Sequence, residues 1–127
     1  VFNLLRPIPI YIKLYTDKVE ITGLDTGTSI SRVASDKFSN PRLVVASFYN
    51  AEQLIRSVLR ELLETKSFLQ PSLSIVMQQM EKLEGGLSDI ERRALLDLGE
   101  QIGGRSVKVV EEAKELTYAQ ALLESRQ

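Results

Sequence analysis

Ser88 and Glu91 stand three residues apart at the head of an apolar repeat, and this pair constrains the chain more than any other feature. The serine hydroxyl can accept the amide of the third helical residue while the glutamate reaches back to the cap, so a helix begins here. The pair Gly103-Gly104 ends it, because glycine tolerates the left-handed conformation that closes helices. Leu73-Ser74-Ile75-Val76-Met77 precedes this helix and Ser106-Val107-Lys108-Val109-Val110 follows it; apolar runs of that length read as strands. Strand, capped helix and strand form a βαβ unit, with parallel strands joined by a right-handed crossover. Leu87, Ile90, Ala94, Leu98 and Ile102 are expected on the buried side of its helix.

Upstream the period changes from helical to alternating. Ile10, Ile12 and Leu14 fall on one face of a strand and Tyr11, Lys13 and Tyr15 on the other. Thr16-Asp17 reads as a two-residue turn, and Val19, Ile21 and Gly23 continue a second strand, so the pair is a hairpin. Asp25-Thr26-Gly27 signals another turn, after which Ile30 and Val33 suggest a third strand. Leu43-Val44-Val45-Ala46 reads either as an extra strand or as a buried loop. Asn50 is the expected N-cap of a helix in which Ala51, Leu54, Ile55, Val58, Leu59, Leu62 and Leu63 share one face. Phe68-Leu69-Gln70-Pro71 leads into the next strand, and Thr117 caps a last short helix carrying Ala121 and Leu122. Phe2, Leu4 and Leu5, ended by Arg6-Pro7, read as a tail packed on the core.

The order is therefore β-β-β-α-β-α-β-α, three antiparallel strands extended by two parallel ones: an α/β chain with a mixed five-stranded sheet flanked by helices. This is the element order of the ribonuclease H-like fold, which also forms each half of the actin-like ATPases. With 127 residues, one domain spanning 1–127 is expected.

Composition narrows the chemistry. There is no Cys and no His, which excludes thiol catalysis, zinc fingers, Ser-His-Asp triads and imidazole metal sites. Sixteen basic against seventeen acidic residues leave a net charge of -1, so no global field draws the chain to nucleic acid or anionic lipid. Arg56, Arg60, Arg92 and Arg93 are interleaved with Glu52, Glu61 and Glu91 and read as solvated helix faces rather than a nucleic-acid stripe. No apolar run is long enough for a membrane span, and Val1 to Ile10 lacks the layout of a secretory signal, so a cytoplasmic protein is expected.

A family signal lies in the last third of the chain. Glu91-Arg92-Arg93-Ala94, then Gly103-Gly104-Arg105-Ser106-Val107 and Val110-Glu111-Glu112, resemble a segment of the bacterial actin MreB in which an ERRA helix is followed by a glycine- and Arg-containing turn, a strand and a glutamate pair. The resemblance implies an actin-like domain. In MreB a glutamate at the end of that strand helps position the water that attacks ATP, a role that would map to Glu111 or Glu112. The family's first phosphate loop, Asp-x-Gly-Thr, lies between the first two strands, where this sequence reads Lys13-Leu14-Tyr15-Thr16-Asp17-Lys18 without glycine. Asp25-Thr26-Gly27-Thr28 matches that loop pattern one turn later. It would be the phosphate loop if the strands were counted from Val19, and it also matches a common turn and the tetrapeptide of aspartic proteases, whose all-β fold the long helices argue against. A ribonuclease H-type nuclease needs carboxylates on the first and fourth strands for two metals, and those strands offer Lys13 and Gln78-Gln79.

Two functions are thereby expected. The first is a non-catalytic MreB-like interaction or scaffold protein, in cell-shape or envelope organisation, with no cofactor, catalytic residue or metal. It would bind a protein partner or form a homodimer, because a half-actin has no partner domain to cover the cleft side of its sheet. The alternative is a partial ATP-binding domain that uses Asp25, Gly27, Thr28, Glu111 and Glu112 and completes its site with another chain.

Overall fold

Eight elements follow one another along the residues that the structure, a computed structural model, describes, which are 6–63 and 72–127. They are β1 (Ile8–Tyr15), β2 (Lys18–Gly23), β3 (Ser29–Val33), α1 (Phe48–Leu63), β4 (Leu73–Gln79), α2 (Asp89–Gln101), β5 (Gly104–Val110) and α3 (Tyr118–Ser125). The expected tail contacts of Phe2, Leu4 and Leu5 and the expected lead-in at Phe68 to Pro71 lie outside the described residues.

The strands form one mixed sheet in the order β3-β2-β1-β4-β5. β1 pairs antiparallel with β2, and β2 with β3; β1 and β4, and β4 and β5, are parallel. The chain is thus an α/β protein with a five-stranded sheet flanked by helices.

One face of the sheet carries the alternate residues Ile10, Ile12 and Leu14 of β1, Val19 and Ile21 of β2, and Leu73, Ile75 and Met77 of β4. These pack against Ala51, Ile55, Val58 and Leu59 of α1 and Leu95 and Leu98 of α2. Each fully buried Ile or Leu contributes roughly 1.5 to 3 kcal/mol. β4 is buried along its whole length, as a central strand covered on both faces must be.

Three local expectations are corrected and one open alternative is decided. Asn50 lies inside α1, and the cap is Ser47, whose Oγ accepts the Asn50 amide at 3.2 Å. Ile90 is 81% exposed, whereas Leu95 is buried in its stead. Five residues separate them, about 140° around a helix at 3.6 residues per turn, so the two cannot share a face. Leu43 to Ala46 form no strand: the Ala46 and Ser47 amides both donate to Phe38 O, and Val44 enters the core beside Phe38. The glycine pair divides its work. Gly103 has φ +112 and closes the helix, but Gly104 begins β5, where a Cβ would lie 2.6 Å from Gly99 O. Helix and strand approach too closely there for any side chain.

The bend between β1 and β2 organises the long loop that follows β3. Asp17 takes φ +52, and its Oδ1 accepts the amides of Phe38 and Ser39 at 2.9 and 2.8 Å. Phe38 is thereby held in the core.

Candidate functional site

The second face of the sheet is polar in its middle. Lys13 of β1 stands level with Glu20 of β2 and with Gln78 of β4, near the carboxyl ends of β1 and β4. Strand neighbours at one level project to the same side. Tyr11, Lys13 and Gln78 are all buried.

Every polar atom of this trio is engaged. The Tyr11 hydroxyl donates to Gln78 Oε1 and accepts the Leu116 amide at 2.9 Å. Gln78 Nε2 donates to Glu112 O and Lys114 O, both at 2.8 Å. The Lys13 ammonium pairs with Glu20 and, at 2.5 Å, with Glu115, and it lies 5.4 Å from the centre of the Tyr11 ring. Burial alone would push the Lys13 ammonium toward neutrality, but its bonds to Glu115 and Glu20 reverse this and hold its pKa above that of ordinary lysine. The same ammonium holds the Glu115 carboxyl below the usual carboxylate range. Burial raises the Tyr11 pKa, with the Leu116 amide opposing it.

These bonds strap the segment after β5 across β1 and β4. The segment continues into α3, which a second capping box opens: Thr117 Oγ1 accepts the Gln120 amide and the Gln120 side chain accepts the Thr117 amide. Ala121 and Leu122 then pack over Tyr11, Val76 and Val110. A sheet expected to need another molecule over its cleft side is covered here, along β1 and β4, by its own residues 111–125. The β4–α2 loop closes the same end, with the Thr16 amide donating to Glu81 Oε1 at 2.5 Å and Lys82 Nζ donating to Thr16 Oγ1 at 2.9 Å.

The residues of the expected ATP site are not brought together. Asp25, Gly27 and Thr28 lie in the β2–β3 connection, where Gly27 has φ +79 and its amide donates to Gly23 O at 2.7 Å. Gly23 is level with Ile10, near the start of β1, whereas Glu111 and Glu112 follow Val110, which is level with Gln78 at the strands' carboxyl end. The two groups therefore occupy opposite ends of the sheet. Asp25 borders a groove of about 630 Å³ with Arg6, Ser74, Tyr118 and Arg126; Glu111 and Glu112 border a hollow of about 150 Å³ with Leu83 and Leu87. The bend between β1 and β2 holds Thr16 and Asp17, and the Asp17 carboxylate is occupied by loop amides.

Glu111 receives two bonds from Arg92, at 2.7 and 2.8 Å, and Arg92 also donates to Asp89 at 2.9 Å. The guanidinium keeps the Glu111 carboxyl below the usual range. Arg56 pairs with Glu52 at 2.8 Å and Arg93 with Asp97 at 3.1 Å, so these cations are matched on their own helix. Among the described residues no three His, Cys, Asp or Glu side chains stand close enough together to hold a metal ion. Nor is any described helix long and apolar enough to cross a membrane.

No family model matches the sequence. Over 90 residues, covering 68% of this chain, it is 32% identical to the uncharacterized protein YjaA of Escherichia coli (strain K12), and the match spans 69% of that protein. The chain belongs to the YjaA family. The Tyr11–Lys13–Gln78 cluster was not anticipated as a unit, since its members are 67 residues apart at the extreme. Its one signal in the sequence was the polar residues, Lys13 in β1 and Gln78 in β4, set in strands that are otherwise largely apolar.

Proposed function

We propose that this YjaA-family chain is a non-catalytic protein-binding domain with ribonuclease H-like topology. The strand order β3-β2-β1-β4-β5, with only β2 antiparallel to its neighbours, supports that reading of the fold. The resemblance of the segment from Glu91 to Glu112 to MreB suggests cell-shape or envelope organisation as its setting.

One observation carries the proposal. In open α/β sheets ligands are bound beyond the carboxyl ends of the strands. Here Lys13 and Gln78 stand near those ends, level with each other and buried, with each side-chain polar atom already bonded, to Glu20 and Glu115 for Lys13 and to Tyr11 and the backbone of residues 112 and 114 for Gln78. Groups so engaged would have to give up existing bonds to take hold of a substrate or a metal. The partner we propose is another protein rather than a second copy, because residues 111–125 already cover the central β1–β4 part of the face whose exposure had suggested a homodimer.

A thermal melt with Mg-ATP tests the reading. A ligand that binds only the folded state raises its stability with concentration. Millimolar Mg-ATP is expected to leave the melting temperature unchanged; a rise that grows with nucleotide concentration overturns the proposal in favour of a partial ATP-binding domain.

A further inference from the structure

The two edges of the sheet differ in how they are defended. Along β5 the chain presents exposed Arg105 and Lys108, and the pairing slips opposite Leu73 and Ser74 so that Arg105 is left over. Charges and bulges of this kind keep an edge from recruiting another strand. β3 has neither defence. It pairs with β2 without interruption, and its one cation, Arg32, is drawn to α1, where it donates to Glu61 at 2.6 and 3.0 Å.

The bonding pattern shows which backbone groups are free at this edge. Gly23 N donates to Thr28 O and Ala34 N to Asp17 O, each at 2.8 Å. By the alternation of an antiparallel ladder, Ile30 and Arg32 spend their backbone groups on β2, whereas Ser29, Ser31 and Val33 direct theirs off the sheet. Beside the edge lies a hollow of about 350 Å³ lined by Ala34, Asp36, Tyr49, Gln53 and Ser57, among others. Tyr49, Gln53 and Ser57 follow one another at four-residue steps along α1, and the next step is Glu61, which reaches Arg32. The hollow therefore flanks β3 on its α1 side. Among the described residues the Asp36 carboxylate has no ion-pair or hydrogen-bond partner.

We infer that the β3 edge takes an extended peptide segment of a partner protein as a sixth strand, with a Lys or Arg side chain of that segment seated beside Asp36. The inference rests on the protein-binding reading above and names its surface. Main-chain bonds to Ser29, Ser31 and Val33 hold the segment, and its alternate side chains point into the hollow. A second β3 fits less well than a foreign segment, because its Arg32 is already held by Glu61 and brings no free cation to Asp36.

Ser31→Pro isolates the edge. It removes an N–H that β2 does not use, so the ladder survives while the outward donor is lost. The probe is a displayed library of random peptides selected on the immobilised chain, followed by anisotropy titrations of the selected peptides. Lys- or Arg-containing sequences are expected to be enriched and to protect the Ser31 and Val33 amides from exchange. Ser31→Pro should weaken them by about tenfold or more, as loss of an edge hydrogen bond and the strand fit requires. Ser31→Ala, which keeps the N–H, should bind as the parent does, and Asp36→Asn should bind more weakly with a difference that fades in salt. Val33→Pro removes another outward donor and replaces Ser31→Pro if that variant does not fold. Equal binding by a folded proline variant overturns the inference, as does self-association that the proline abolishes. Peptides that protect other amides overturn the β3 assignment and leave the protein-binding reading standing; no peptide selected together with stabilisation by Mg-ATP removes both.

Discussion

On one face of the sheet Ile12, Ile75 and Met77 meet α1 and α2 through apolar contact alone, whereas on the other Tyr11, Lys13 and Gln78 meet residues 111–116 through hydrogen bonds and an ion pair. The difference teaches how each cover can come off. Apolar contacts have no substitute in water, so the α1 and α2 side separates only when the domain unfolds. A hydrogen bond exchanged with water contributes only about 0.5 to 1.5 kcal/mol net, so a strap built of a few such bonds can open while the rest stays folded. The polar strap at residues 111–116 is the natural place for local opening, and the α1–α2 layer is the natural carrier of global stability.

Three changes would break or sharpen this contrast. Ile12→Ala, at a fully buried position of the apolar face, should cost about 2 to 5 kcal/mol and lower protection of both faces together in urea melts and amide exchange. Loss confined to α1 and α2, with residues 111–125 still protected, would end the view that this layer carries the domain. Tyr11→Phe keeps the ring but strands Gln78 Oε1 and the Leu116 amide, and should cost about 1 to 3 kcal/mol. Its signature is faster exchange at Leu116 with the α1 and α2 amides little changed at low denaturant. If all amides speed up equally, the strap is not a separate unit.

The smallest effect is expected from Glu115→Gln, because Glu115 is exposed and Lys13 keeps Glu20. Its value lies in pH. The folded-state pKa of Glu115 is depressed, so its contribution is present above the unfolded value of about 4.3 and is lost as pH falls through the folded value. Glu61 and Glu111 are depressed likewise by Arg32 and Arg92, so acid should weaken the whole domain as well. Protection at Leu116, taken relative to the intrinsic exchange rate at each pH, resolves the local part: it should fall in acid more steeply in the parent chain than in Glu115→Gln. Parallel pH profiles would remove Glu115 from the strap.

Features written in a few adjacent residues were legible. The capping box at Ser88–Glu91, the cap at Thr117, the hairpin turn at Thr16-Asp17 and the alternation of β1 all depend on neighbours in the chain. Faces were harder to read. Ile90 is as apolar as Leu95, and only the docking of α2 on Val107 through Gly99 selects which of them is buried. Ser47 and Asn50 are both good caps, and the choice between them followed from Phe38, whose carbonyl accepts the Ser47 amide and so fixes where the loop ends.

The sequence by itself determined the order of elements, the starts of α2 and α3 and the absence of thiol and imidazole chemistry, because these follow from residue identity and near-neighbour spacing. Tertiary structure alone decided that Lys13 and Gln78 meet, that the Asp25 turn and the Glu111-Glu112 pair lie at opposite ends of the sheet, and that residues 111–125 close over β1 and β4 on the face expected to be open. The reason is register. The level at which two distant strands pair is set by burying the whole apolar face at once, and that sum over many contacts is not written in any one stretch of chain.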